Sequence, residues 1–173
     1  MSEKIQEIYK GKFLSVVKDG SWEYVTRPNV PGIVVVVPMT ENEEFVFIEQ
    51  YRIPIKSNSI EFPAGLVDPG ESELQAASRE LLEETGYKEE SMSYAFTGPP
   101  SAGLSDEMIS FYVAQNCNKI EEAKGDGHEQ ITTHIIPIKK SYDWLTEKLK
   151  DKKSVIDLKV WTGIYSISTL FRK

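Results

Sequence analysis

The spacing of hydrophobic and polar residues divides the chain into short strands, one compact helix, more strands and two closing helices. Residues 4–27 read as short strands. Phe13–Val17 and Trp22–Thr26 alternate on either side of Asp19-Gly20, a dipeptide that favours a tight hairpin turn. Pro28 to Pro31 ends this unit. Ile33–Val37 is a continuous β-branched run, as in a strand covered on both faces. A turn at Thr40–Glu43 leads to a strand over Glu44–Gln50, and Ser59–Pro63 runs into the next element. Over 72–85 the period lengthens to that of a helix, with Leu74, Ala77, Ser78 and Leu81 on one small apolar stripe. Ser72 is its expected N-cap and Gly86 its stop. Ser91–Thr97 and Met108–Ala114 read as strands around a Pro- and Gly-rich loop at 98–105. Residues 115–129 are polar and acidic and read as a long loop. Ile131–Ile138 reads as a strand, and 141–151 and 155–171 as helices with stripes led by Trp144, Leu145, Leu158 and Trp161. The order implies an α+β fold, an α/β/α sandwich with mixed sheets, in one domain over 1–173 whose first 30 residues form a β-hairpin unit.

The helix over 72–85 carries the chemistry. At about 100° per residue, Glu73, Glu80, Glu83 and Glu84 fall within about 80° of one another. Glu80 and Glu84 are one turn apart, and Glu71 adds to the crowding. Like charges at that spacing repel by about 0.2–0.5 kcal/mol when exposed, so a bound cation is the economical way to keep them together. An all-oxygen donor set suits hard divalent ions, Mg²⁺ or Mn²⁺. An ordinary solvated acidic face is the alternative.

Composition narrows the setting. The chain has 173 residues, 40% hydrophobic and 27% charged, with net charge −7. That balance offers no basic surface for nucleic acid. An anionic substrate here needs a metal, or locally placed Arg and Lys, to bridge the repulsion. Cys117 is the single cysteine, which leaves no intrachain disulfide and fits a reducing compartment. No apolar run reaches membrane-spanning length, and the first residues lack a signal-type core. The expectation is a soluble, cytoplasmic protein with no membrane partner.

The stretch Gly65-x5-Glu71-x7-Arg79-Glu80-Leu-Leu-Glu83-Glu84-Thr-Gly86-Tyr87 resembles the Nudix box. Its one soft departure is Tyr87 in a slot where Ile, Leu or Val is commoner. Phe45–Pro54 and Ile60–Glu71 resemble the ADP-ribose and nucleoside-diphosphate-sugar pyrophosphatase branch, as do Ser101–Glu107 and Gly127–Ile131, so the similarity covers roughly residues 20–140. The resemblance implies the Nudix fold and metal-dependent hydrolysis of a nucleoside diphosphate sugar. It also implies a homodimer with exchanged N-terminal strands.

Residue by residue, the resemblance implies metal ligands at the Ala64 carbonyl, Glu80 and Glu84, with Glu83 and Glu71 as further ligands or their supports. Arg79 would orient the glutamates by a charge-assisted fork. Arg52 would contact the diphosphate or terminal ribose, Trp22 would stack on the base across the dimer, and Arg27 would meet phosphate or ribose. Glu129 would be the catalytic base or a metal ligand, with His128 beside it. For Trp22 the competing reading is a place in the hairpin core; for Glu129 it is a solvated loop acid. Ala102 stands where ADP-ribose pyrophosphatases commonly have proline, which keeps other sugars such as GDP-mannose open. A triphosphate sanitiser fits the flanking segments less well. A non-catalytic ADP-ribose sensor is the non-enzymatic alternative, set against a box with every glutamate in place.

Overall fold

The computed structural model describes residues 5–124, 130–151 and 153–170. Three strands, β1 (Gln6–Lys10), β2 (Ser15–Asp19) and β3 (Trp22–Thr26), form a separate antiparallel sheet in the order β1-β2-β3. The hairpin between β2 and β3 turns at Gly20, whose φ of 58° is the left-handed conformation that glycine adopts without strain. There follow β4 (Ile33–Thr40) and β5 (Glu44–Arg52), a 3-10 turn at Ile53–Ile55, β6 (Ser57–Glu61) and β7 (Ala64–Leu66). After α1 (Glu73–Thr85) come β8 (Tyr87–Lys88), β9 (Ser91–Gly98), β10 (Ile109–Lys119), β11 (Thr132–Pro137), α2 (Ile138–Asp151), β12 (Ser154–Ile156) and α3 (Leu158–Leu170).

The main sheet runs β12-β6-β5-β4-β10-β8, with β11 beside β5, β7 beside β4 and β9 beside β10. It is mixed: β10 is parallel to β4 and β12 to β6, while the other pairs are antiparallel. Two apolar clusters sit on its opposite faces. Val35 and Val37 pack with Phe45, Phe47, Phe62, Leu145 of α2 and Val160 of α3. Val34 and Val36 pack with Ala76, Ala77 and Leu81 of α1. The β-branched run of β4 is therefore covered on both sides, and the layering is the expected α/β/α. On the α3 side the approach is close: a Cβ on Gly163 would come within 2.8 Å of Phe62 and Val37.

The observed elements differ from the sequence reading in several places. β10 runs on to Lys119, past a register shift between Ala114 and Cys117, where a loop was expected. Its last residues pair with β8, and that pairing, which the polar composition hides, keeps them extended. The final helix begins at Leu158, not Val155, because Val155 and Ile156 pair in parallel with β6. Asp157 then accepts from the Lys159 amide at 2.7 Å and starts the helix. Ala64–Leu66, between the strand at Ser59–Pro63 and the helix, pairs with Ile33–Val35 and becomes a strand. In α1 the buried residues are Ala76, Ala77, Leu81, Glu84 and Thr85, while Leu74 in the first turn stays 49% exposed.

Candidate active site

α1 starts and stops as its sequence dictates. Ser72 Oγ accepts from the Gln75 backbone amide, and the Ser72 amide donates to Gln75 Oε1 at 2.9 Å, a capping box. Gly86, at φ 74°, closes the helix with its amide on Leu82 O. These ends fix the rotation of the helix and hence the direction of its acids.

Arg79 is the hub of the acidic group. Its Nε and Nη2 form a fork on Glu71 at 3.0 and 2.9 Å. Nη1 reaches Glu80 at 2.7 Å and Glu83 at 3.3 Å, and Nη2 also donates to the Leu66 carbonyl at 2.9 Å. One guanidinium thus ties three carboxylates to β7. The fork holds Glu71 below the usual carboxylate range, and Arg79 itself is held more firmly charged by Glu71 and Glu80. Glu80 is nevertheless raised, because burial outweighs its bond to Arg79.

Glu84 lies deepest, 8% exposed. It accepts from the Ala64 amide at 3.0 Å. Burial, reinforced by the negative charge of Glu80, pushes it up to about 8. Glu80 packs directly on Gly65: a Cβ there would fall 1.9 Å from Glu80 Oε1. The glycine of the pattern is thus the space that the Glu80 carboxylate occupies. Glu83 is 49% exposed at its side chain and faces outward. Glu73, expected on the same ridge, accepts instead from the Tyr112 hydroxyl at 3.1 Å.

A cleft of about 500 Å³ opens beside Ala64 and Gly65, bordered by Arg27, Arg52, Glu61 and Glu107. Arg52 forks onto Glu61 at 2.8 and 2.7 Å, and Glu61 is only 3% exposed. Arg27 reaches Glu107 at 2.5 Å. The two arginines predicted from sequence therefore border one cleft, each steadied by an acid that sequence reasoning missed. Glu61 gave no signal because an acid inside a short apolar strand reads as a strand end. Its partner becomes evident only once β5 and β6 pair. Asp157 and Lys159, also at this cleft, were read as part of a helix.

Trp22 is 63% exposed, so it is not hairpin core. It lines a hollow of about 290 Å³ with Tyr24, Ala102 and Asp106. β3 is held there by the Val25 amide on Leu104 O at 2.8 Å. Asp106 also borders a smaller hollow with Arg27 and Glu107, so the surface runs from Trp22 to the cleft. Glu129 and His128 lie outside the described residues.

The chain matches the NUDIX domain over residues 29–157. It belongs to the Nudix family. Residues 65–87, which resemble the Nudix box, fall inside the matched span, and so does the hub formed by Arg79. A Bacillus methanolicus protein named methanol dehydrogenase activator is 38% identical over 165 residues, covering 88% of this chain and 87% of its own. An ADP-ribose pyrophosphatase of Bacillus subtilis is 32% identical over 94 residues, 54% of this chain and about half, 51%, of that enzyme. A solved ADP compounds hydrolase superposes with a TM-score of 0.75 over 99% of this chain and 93% of that one, at 19% identity, a likeness of fold. The Nudix hydrolase family generally works with divalent metal ions. Among the described residues no three acidic, imidazole or thiol side chains stand ready-made as a metal cage. The donors nonetheless suit a hard cation: Glu80 and Glu84 bring carboxylate oxygens one helix turn apart against the backbone of Gly65 and Ala64. No helix among the described residues is long and apolar enough to cross a membrane.

Proposed function

We propose that this Nudix hydrolase cleaves the pyrophosphate bond of a nucleoside diphosphate sugar, ADP-ribose or a close relative, to a nucleoside monophosphate and a sugar phosphate. The observation that carries the reading is the buried Glu84, bonded to Ala64 at the edge of a cleft that also presents Arg52 and Arg27. Glu80, Glu84 and the Ala64 carbonyl would hold Mg²⁺ or Mn²⁺, with Glu71 and Glu83 in support. A divalent ion there supplies charge neutralisation for the diphosphate oxygens and acidifies a water. Arg79 keeps Glu71, Glu80 and Glu83 at fixed orientation. Arg52 and Arg27 meet the diphosphate and its ribose, and Trp22 offers a flat face to the base. Glu129 takes the proton of the attacking water; this role rests on the sequence resemblance.

The N-terminal unit leaves Ile8, Tyr9, Phe13 and Trp22 exposed, apolar surface suited to a second copy of the chain with exchanged N-terminal strands. The buried free thiol of Cys117 suits a reducing, cytoplasmic setting. A second reading follows from the relative matched over most of both chains, which is named as an activator of a dehydrogenase: the protein acts on a dehydrogenase or its dinucleotide. A panel of ADP-ribose, ADP-glucose, GDP-mannose, NADH and dGTP in Mg²⁺ and then Mn²⁺, read by phosphatase-coupled phosphate release, tests both. ADP-ribose or ADP-glucose turned over fastest supports the first reading. Preference for NADH supports the second, and turnover of dGTP alone contradicts both.

A further inference from the structure

The cleft has a neighbour that the reading above leaves unused. A second cavity of about 430 Å³ shares Pro100, Ile109, Asp157 and Lys159 with it, so the two adjoin. Its character changes away from the junction. At the junction Lys159 Nζ meets Asp157 Oδ2 at 2.5 Å. Beyond it the wall is formed by Phe96 and Phe111, whose rings stack at 4.5 Å and 15°, with the exposed Thr162 and Leu158 of α3 on the other side.

We propose that this cavity receives the far end of an X group longer than a bare sugar, the part beyond the second phosphate, and that it takes a flat apolar ring there, so that ring-ended X groups are substrates beside the sugars. The proposal rests on the pyrophosphatase reading and specifies its substrate class. Three features support it. The volume falls in the range that encloses a sizeable organic group, roughly 300–1,000 Å³, and apolar walls with a few polar groups are the usual lining of such sites. A sugar pressed against Phe96, Phe111, Pro99 and Ile109 would lose hydration at hydroxyls that those walls cannot satisfy. A ring gains contact area on the same surface. Asp157 and Lys159, at the junction, face the polar link between phosphate and ring.

The test compares kcat/KM for ADP-ribose with that for the 2-phenylethyl ester of ADP, in the parent, Thr162→Trp and Thr162→Ala. Thr162 is on the outer surface of α3, and an indole there fills the cavity without replacing a core residue. The ratio of ester to ADP-ribose is expected to fall about tenfold in Thr162→Trp, through KM, and to stay within about twofold in Thr162→Ala. Leu158→Trp, at another exposed residue on the cavity, repeats the blockage should Thr162→Trp fail to fold. Equal ratios in the parent and the blocked variants, with ADP-ribose still hydrolysed, overturn the subsite and leave the pyrophosphatase reading standing. A parent that hydrolyses neither compound overturns that reading and the subsite with it.

Discussion

Replacing Glu84 by Gln is expected to stabilise the metal-free protein at alkaline pH. Glu84 is 8% exposed and sits at about 8 instead of 4.5, chiefly through burial. The sign is opposite to that of a salt-bridged carboxylate. Because the folded state holds the proton more tightly than the unfolded state, the group contributes nothing adverse below about pH 4.5. Its penalty grows as pH rises and is complete above about 8. At ~1.36 kcal/mol per tenfold change in proton affinity the ceiling is ~5 kcal/mol. Local relaxation and water entry reduce this to roughly 2 kcal/mol, or about 4–8 °C in Tm for a chain of this size. Gln keeps an oxygen for the Ala64 amide and removes the charge. The assay is thermal unfolding of parent and Glu84→Gln in EDTA at pH 5 and pH 8. The variant should unfold at the higher temperature at pH 8, with the gap closing at pH 5. Added Mn²⁺ should raise the parent's Tm and leave the variant's nearly unmoved. A variant less stable than the parent at pH 8 in EDTA would refute the reasoning, because the carboxylate would then be a structural asset without metal.

Three further substitutions test the surroundings. Arg79→Lys keeps the charge but loses the fork on Glu71 and the reach to Leu66 O; kcat for ADP-ribose should fall ~10–100-fold with unchanged far-UV circular dichroism, and an unchanged kcat refutes the hub. Gly65→Ala sets a methyl 1.9 Å from Glu80 Oε1; the displaced carboxylate should cost about 100-fold in kcat/KM in a folded protein, and parent-like kinetics would show that Glu80 does not act from that position. Arg52→Ala leaves the buried Glu61 without its fork; urea unfolding at pH 7.5 should show a loss of about 2–3 kcal/mol, which Arg52→Ala/Glu61→Leu should largely restore, and no loss would mean that the pair carries little.

Much of this was legible in the residues because local rules agreed with one another. The β-branched run at 33–37, the Asp19-Gly20 turn and the Ser72 and Gly86 ends of α1 needed no tertiary information. The spacing from Gly65 to Gly86 already placed Arg79 among its glutamates. What escaped depended on pairing between distant segments. β10 extends through Cys117 because β4 still pairs there and through Lys119 because β8 pairs with it, and Val155 is strand because β6 lies alongside. Glu61 and Glu107 became part of the site only through Arg52 and Arg27. The helical wheel grouped Glu73 with Glu84, but a wheel has no neighbours: β10 supplies Tyr112 to Glu73, while β7 covers Glu84.

The central claim is that the buried end of the acidic ridge, in the presence of a divalent cation, is where the pyrophosphate is cleaved. Turnover of ADP-ribose by Glu84→Gln against the parent, in saturating Mg²⁺, tests it most directly. The account predicts a loss of about 10³-fold or more in a variant that remains folded. Hydrolysis at the parent rate would contradict it.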